Sequence, residues 1–142
     1  MVKETHRLSY FLVGDSGVLN ALLEHPILKL DGVVNMIGDT NFSQLSMILK
    51  SASAVVANDS GIMHISDALG TTLVALYGPT DNTRTRPLSA SSKMLCSQND
   101  CYCNCHAFNA GKDFLLDKFG EDYCMKNITP SKVISTLESI KG

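Results

Sequence analysis

The stretch AVVANDSGIMHISDALGTTLVALYG, residues 54–78, decides the fold class of this chain. It opens with the short apolar run Ala54–Ala57, which is typical of a buried strand. A helical pattern follows and ends at Gly70, a residue that favours a helix C-terminus. The predicted apolar stripe of this helix consists of Ile62, Ile65 and Leu69. Leu73–Tyr77 is a second strand, so the segment predicts a strand–helix–strand unit with parallel strands.

The same alternation of strand and helix patterns extends toward the N-terminus. Leu8–Val13 and Val33–Ile37 are two further short apolar runs, each closed by a glycine. A helical pattern follows each run, and the second of these helices has Thr40 as its predicted N-cap. Its predicted buried face consists of Phe42, Leu45, Ile48, Leu49 and Ala52. Strands that alternate with helices predict the α/β class, with a Rossmann-like parallel sheet and helices on both faces.

The pattern changes after residue 78. Residues 79–95 are rich in Ser, Thr, Asn and Pro without periodicity, which predicts a surface loop. A last helix is predicted with Thr129 as N-cap and Pro130 at its first position. Its predicted buried face consists of Val133, Ile134, Leu137 and Ile140. We therefore expect a single domain over residues 1–142, made of a βα core (1–78), a loop and cysteine-bearing segment (79–128) and a C-terminal helix (129–142).

Composition and charge restrict the classes of function. The chain has 142 residues, of which 12 are Lys or Arg and 14 are Asp or Glu. This length supports one hydrophobic core and not two, and the formal net charge of −2 argues against a nucleic-acid partner. No apolar run approaches the ~18 residues that a transmembrane helix needs. The N-terminus lacks the features of a secretory signal, so we expect a cytoplasmic protein.

Five cysteines and a histidine are concentrated in the second half of the chain, at Cys96, Cys101, Cys103, Cys105, His106 and Cys124. Their spacing is not that of the paired C-x2-C zinc sites. In a C-x-C pair on extended chain, the two thiols point to opposite sides, which disfavours chelation of one metal ion. Reduced structural thiols are the preferred interpretation, followed by zinc and then by a disulfide or an iron–sulfur site. No metal and no cofactor is assigned.

The polar segment NDSGIMH, between the strand and the helix of the opening stretch, predicts an anion site. With Asp59 as N-cap, the next backbone N–H groups are free at the positive end of the helix dipole. Gly61 has no Cβ, and His64 lies three and four residues after Gly61 and Ser60, on the same helix face. Ligands of parallel α/β sheets bind beyond the carboxyl ends of the strands, where this segment lies. The alternative is a simple helix cap, a tight turn and a solvated histidine.

Four sequence motifs carry a resemblance to a known family. Ala57–Gly70, followed by TLVALYGPTD at Thr72–Asp81, resembles the signature of the family 9 glycosyltransferases, the heptosyltransferases. Members of this family transfer heptose from ADP-heptose to the inner core of lipopolysaccharide. NMIGDTNFSQL (35–45) is similar to an upstream element of the family, and CMKNITPSKVISTL (124–137) is most similar to the closing element of the heptosyltransferase II group. The resemblance covers nearly the whole chain, in order.

The resemblance implies the C-terminal, donor-binding half of a GT-B fold. It assigns the diphosphate and sugar of the donor to four residues: Asp59, Ser60, Gly61 and His64. It places Thr40 near the adenine, and the alternative is that an N-cap role explains this residue fully. Gly78, Pro79 and Thr80 are assigned to the neighbouring wall of the cleft, and an ordinary turn after a strand is the alternative.

The resemblance further implies inverting transfer of heptose. The acceptor site and the catalytic carboxylate belong to an N-terminal domain, for which 142 residues leave no room. No catalytic residue is therefore assigned in this chain, and the isolated chain is expected to be inactive. The expected partners are ADP-heptose and the lipopolysaccharide core through the other domain. Separately from the resemblance, an exposed edge of the predicted sheet favours pairing with a second copy. The full enzyme is expected to lie in the cytoplasm, peripheral to the inner membrane.

Two rival functions stay open at this point. One is a non-catalytic nucleotide-binding or assembly module, and the other is a different GT-B-like enzyme that uses another nucleotide sugar. Arg84 and Arg86, which follow the Gly-Pro-Thr-Asp turn, suit a phosphate of donor or acceptor by their geometry. Solvated side chains are the preferred interpretation of these two arginines.

Overall fold

The computed structural model describes residues 9–78, 80, 82–96, 125 and 127–140. The chain divides into two compact units, Met1–Met47 and Ile48–Gly142. No helix in the described part of the chain is both long and apolar enough to cross a membrane.

The first unit is organised around a parallel strand pair. Its elements are β1 (Tyr10–Leu12), α1 (Ser16–Leu22), a 3₁₀ turn (Pro26–Lys29) and β2 (Val33–Asn35). Tyr10 lies opposite Val33 in the parallel register of β1 and β2. Asp15 caps α1, because its carboxylate accepts the backbone N–H groups of Gly17 and Val18 at 2.8 and 3.3 Å. This connection of parallel strands through a helix is the predicted βα pattern.

Helix α2 (Phe42–Ser51) begins at a reciprocal cap. The side chain of Asn41 accepts the backbone N–H of Gln44 at 3.0 Å, and the side chain of Gln44 accepts that of Asn41 at 2.9 Å. The prediction that Thr40 is the N-cap is therefore wrong by one residue, and Thr40 is half-buried just before the cap. The predicted buried face is right for Leu49 but wrong for Phe42, which is 70% exposed.

The second unit contains a three-stranded parallel sheet in the order β3–β4–β5. Its elements are β3 (Val55–Asn58), α3 (Gly61–Ala68), β4 (Leu73–Tyr77), α4 (Asn82–Thr85), β5 (Ser92–Cys96) and α5 (Pro130–Ile140). The central strand β4 carries the most deeply buried residues of the sheet. The predicted surface loop over 79–95 was wrong in part, because α4 and most of β5 fall within it. Pairing with β4 makes β5 a strand although its own sequence has no period-2 pattern.

The core of the second unit is centred on Met63 and Tyr77, which are 0% and 1% exposed. Met63 and Ser66 form the buried face of α3. The predicted stripe of Ile62, Ile65 and Leu69 is only half-buried. The buried face of α3 is therefore rotated about the helix axis from the predicted one. Ser66 is tolerated in the core because its hydroxyl donates to the carbonyl of Ile62 at 2.8 Å.

The predicted ends of two helices are confirmed. Gly70 follows α3 with a φ of 71°, in the left-handed region that glycine adopts without steric cost. Thr129 caps α5, because its hydroxyl accepts the backbone N–H of Lys132 at 3.3 Å. The predicted buried face of α5 is wrong, because none of its four residues is fully buried. Three of them are half-buried, and Ile134 is 56% exposed.

Candidate functional site

The turn between β3 and α3 leaves the first turn of α3 without a side-chain cap. Ser60 is the N-cap residue, with extended backbone, and no side chain of the described residues accepts a hydrogen bond there. The prediction that Asp59 is the N-cap is therefore wrong. The N–H groups of this turn lie at the positive end of the helix dipole and stay available to an external acceptor.

Asp59 is instead tied to the segment that follows β4. Its carboxylate accepts the hydroxyl of Thr85 at 2.9 Å. The backbone carbonyl of Thr85 accepts the hydroxyl of Tyr77 at 2.8 Å, so both ends of Thr85 are anchored. Burial raises the pKa of Tyr77, and the neighbouring acidic groups raise it further, against a lowering contribution from the hydroxyl side chain of Thr85. Tyr77 therefore remains a neutral donor, and Asp59 positions the residues around α4.

Gly61 is open to solvent at the start of α3. A Cβ added to it would meet no atom within 4 Å among the described residues. Its backbone is not in the left-handed region, so the fold itself does not demand glycine here. The space above Gly61 is thus available for close approach of a ligand to the backbone.

His64 lies one turn further along α3, where its backbone N–H donates to the carbonyl of Ser60 at 3.3 Å. Its side chain is exposed, as its place on the outer face of the helix predicts. It lines an open groove of about 550 Å³. The other lining residues are Asp67, Ala68, Arg84, Thr85, Arg86, Leu88 and Ser89. The structure thus brings His64 together with both arginines of the segment after β4.

Asp67 is the one carboxylate among these lining residues, and it accepts three hydrogen bonds from residues before and at the start of β5. It accepts the backbone N–H groups of Leu88 and Ser89 at 2.8 and 3.2 Å and the hydroxyl of Ser92 at 2.6 Å. Burial raises the pKa of Asp67, but the hydrogen bond from Ser92, those from the two N–H groups and the attraction of His64 outweigh it. The pKa therefore lies below the ordinary value of 3.8.

The remaining predicted site residues lie at other strand ends. Gly78 directly follows β4 and is half-buried, and Thr80 is exposed. Pro79, between them, lies outside the described residues. Thr40 belongs to the first unit, in the connection between β2 and α2. The roles assigned to Thr40, Gly78 and Thr80 stay predictions.

Of the cysteines, Cys96 alone belongs to the described residues, and it is a free thiol at the end of β5. Its sulfur accepts the side-chain N–H of Asn82 at 3.0 Å, which links β5 to α4. The other four cysteines and His106 lie outside the described residues. Within the described part of the chain, no cluster of three His, Cys, Asp or Glu side chains could hold a metal ion.

The fold matches solved glycosyltransferase structures. The ADP-heptose lipopolysaccharide heptosyltransferase II of E. coli superposes on 93% of this chain with a TM-score of 0.72 and 27% identity. A family 9 glycosyltransferase from Veillonella parvula superposes on 93% of the chain with a TM-score of 0.72 and, at 18% identity, supports the fold alone. In each comparison this chain covers 36% of the longer protein. The fold is thus that of the GT-B class of glycosyltransferases.

The sequence comparisons define the family within that class. The profile described as "Glycosyltransferase family 9 (heptosyltransferase)" matches residues 15–113, and this chain belongs to that family. Lipopolysaccharide heptosyltransferase 2 of Salmonella typhimurium is 32% identical over 106 residues, which cover 75% of this chain and 28% of that protein. Lipooligosaccharide heptosyltransferase 2 of Haemophilus influenzae is 44% identical over 62 residues, 44% of this chain and 18% of that protein. The chain therefore corresponds to a minor part of the length of each relative.

Proposed function

We propose that this chain is the donor-binding part of an inverting heptosyltransferase and that it binds ADP-heptose at the turn between β3 and α3. The observation that carries the proposal is the uncapped first turn of α3, with open space above Gly61. Family membership and the similarity to an ADP-heptose heptosyltransferase support the identity of the donor.

The chemistry of the turn suits a diphosphate. Backbone N–H groups at a helix N-terminus bind phosphate oxygens, and the absence of a Cβ at Gly61 lets them approach the backbone. The hydroxyl of Ser60 and the imidazole of His64 add side-chain donors on the same face of α3. These groups stabilise the negative charge that grows on the diphosphate as the glycosidic bond breaks.

The reaction needs one further group. The acceptor hydroxyl loses its proton to a carboxylate, and its oxygen forms a bond to the anomeric carbon of heptose. The bond from that carbon to the diphosphate breaks, and ADP leaves with the electron pair. We assign the carboxylate to a part of the enzyme outside this chain, together with the site for the lipopolysaccharide core acceptor.

The finer assignments belong to the same proposal. Thr40 is assigned to the neighbourhood of the adenine, and Gly78 and Thr80 to the wall of the cleft, on the strength of the family motifs in which they stand. A cytoplasmic location, with the full enzyme peripheral to the inner membrane, and pairing with a second copy at an exposed sheet edge are part of the same proposal.

Calorimetric titration with ADP tests the donor site. We expect Gly61→Val to abolish measurable binding, because the added side chain fills the space that the diphosphate needs. We expect His64→Ala to weaken ADP binding by about tenfold, the equivalent of one charge-assisted hydrogen bond. Both sites are exposed, so the variants should unfold at the temperature of the unchanged protein.

Ser131→Val is the matched control, because it places the same β-branched residue in the exposed first turn of α5. Its ADP affinity should equal that of the unchanged chain. If all four proteins bind ADP equally well, the turn between β3 and α3 is not the donor site.

A further inference from the structure

The groove along α3 carries a positive charge that the donor site does not use. Arg84, Arg86 and His64 all line it. Ser60 and Gly61, at the start of α3, are not among its lining residues. The groove therefore runs along the flank of the helix, next to the proposed donor site and sharing only His64 with it.

We propose that this groove is a second anion subsite, in which Arg84 and Arg86 bind a phosphate group. A guanidinium presents two parallel N–H donors that match two oxygens of a phosphate. Two such groups and the imidazole of His64, all lining the same groove, provide enough donors for a tetrahedral dianion.

In the described part of the chain, the carboxylates near these arginines accept hydrogen bonds from other residues. Asp67 accepts hydrogen bonds from Leu88, Ser89 and Ser92. Asp59 accepts the hydroxyl of Thr85. Both carboxylates thus make these hydrogen bonds with residues other than the two arginines. Among the lining residues, two guanidinium groups face a single carboxylate, so the groove has an excess of positive charge in a chain whose formal net charge is −2.

The arginines are carried on an anchored segment. Thr85, which lies between them, is held through its carbonyl by Tyr77 and through its hydroxyl by Asp59. Asn82, at the start of α4, donates to the sulfur of Cys96 at 3.0 Å. Because the backbone is tied at these points, binding of an anion has to order only the two arginine side chains, which lowers its entropic cost.

The phosphate has two chemically equivalent sources: the diphosphate of the donor, or a phosphate ester on the other substrate. The existence of the subsite does not depend on the proposed function, although the source of its phosphate does. Titration of the unchanged full chain and of an arginine variant with inorganic phosphate and with ADP separates the cases.

We expect inorganic phosphate to bind the unchanged chain and to bind at least about tenfold more weakly after Arg84→Gln with Arg86→Gln, because two charge-assisted contacts are lost. Lys93→Gln removes one exposed positive charge from β5 and is the control, with little expected change. Unchanged thermal unfolding verifies that the double variant is folded. Phosphate affinity that is equal in the double variant and the unchanged chain, or no phosphate binding by the unchanged chain, would overturn the proposal.

The ADP titrations then identify the source. If the groove serves the donor, the double variant loses ADP affinity. If the groove serves the other substrate, the double variant keeps its ADP affinity. Both outcomes support the subsite. Gly61→Val should leave phosphate binding in the groove intact, so a failure of the donor-site proposal is distinguishable from a failure of this one.

Discussion

At the scale of single residues, Met63 and Tyr77 hold together the part of the molecule that carries the candidate site. Both side chains are almost fully buried, and the hydroxyl of Tyr77 lies 3.2 Å from the sulfur of Met63. The same hydroxyl donates to Thr85, the residue that is tied to Asp59. Hydrogen bonds therefore connect the core of the second unit to the residues of the candidate site.

We expect Met63→Ala to lower the free energy of unfolding by about 2–5 kcal/mol, because it leaves a cavity against Tyr77. Met63→Leu nearly conserves the volume and should cost less than about 1.5 kcal/mol. Urea unfolding of the two variants and the unchanged chain measures both values. Equal costs for the two substitutions would contradict the packing described for this residue.

At the scale of elements, the acidic side chain of Asp67 joins α3 to the start of β5. Its three hydrogen bonds reach residues that are 21 to 25 positions away in the sequence. They hold the turn before β5 against the helix, on the side where the groove opens. A single carboxylate thus aligns the edge strand with the helix that carries His64.

The lowered pKa of Asp67 makes this link pH-dependent. A group with a folded pKa below its unfolded value of 3.8 stabilises the fold above that pH, and the stabilisation is lost as the pH falls through the folded pKa. Asp67→Asn does not titrate, so it should be less stable than the unchanged chain near neutrality, and the difference should shrink below about pH 3.8.

Urea unfolding from neutral pH to about pH 3 tests this expectation. Asp39→Asn, at an exposed position in the first unit, is the matched control and should change stability little. A stability difference for Asp67→Asn that stays constant over the whole pH range would show that the carboxylate charge does not contribute.

At the scale of the whole molecule, the separation of donor binding from chemistry is the main expectation. The chain covers 36% of the length of the E. coli heptosyltransferase II that it resembles, and our proposal assigns the catalytic carboxylate to a part outside it. We therefore expect this 142-residue polypeptide to bind ADP and to release no ADP from ADP-heptose when an acceptor is present.

A coupled assay for released ADP measures this directly. The same assay on a full-length family 9 enzyme is the positive control. Acceptor-dependent ADP release by the 142-residue polypeptide would contradict the assignment of the catalytic base to another part of the enzyme.

The sequence by itself determined the α/β class, the order of the strands and helices as far as β4, and the polar turn after β3. These features follow from local periodicity, from glycine at Gly70 and from the cap at Thr129, all of which act within one or two turns of chain. The family was also recognisable from contiguous motifs, and the match of the family 9 glycosyltransferase profile to residues 15–113 confirms it. Local signals gave the wrong N-cap where two neighbouring residues can both cap a helix. At the start of α2 the N-cap is Asn41 and not the predicted Thr40.

Only the tertiary structure decided how the site is assembled. The carboxylate of Asp59 turns to Thr85, 26 positions away, instead of capping its own helix, and β5 becomes a strand by pairing with β4. Arg84 and Arg86 line the same groove as His64, which lies 20 or more positions before them in the sequence. Hydrogen bonds and packing between residues far apart in the chain set these positions, and no periodicity within a single segment encodes such contacts.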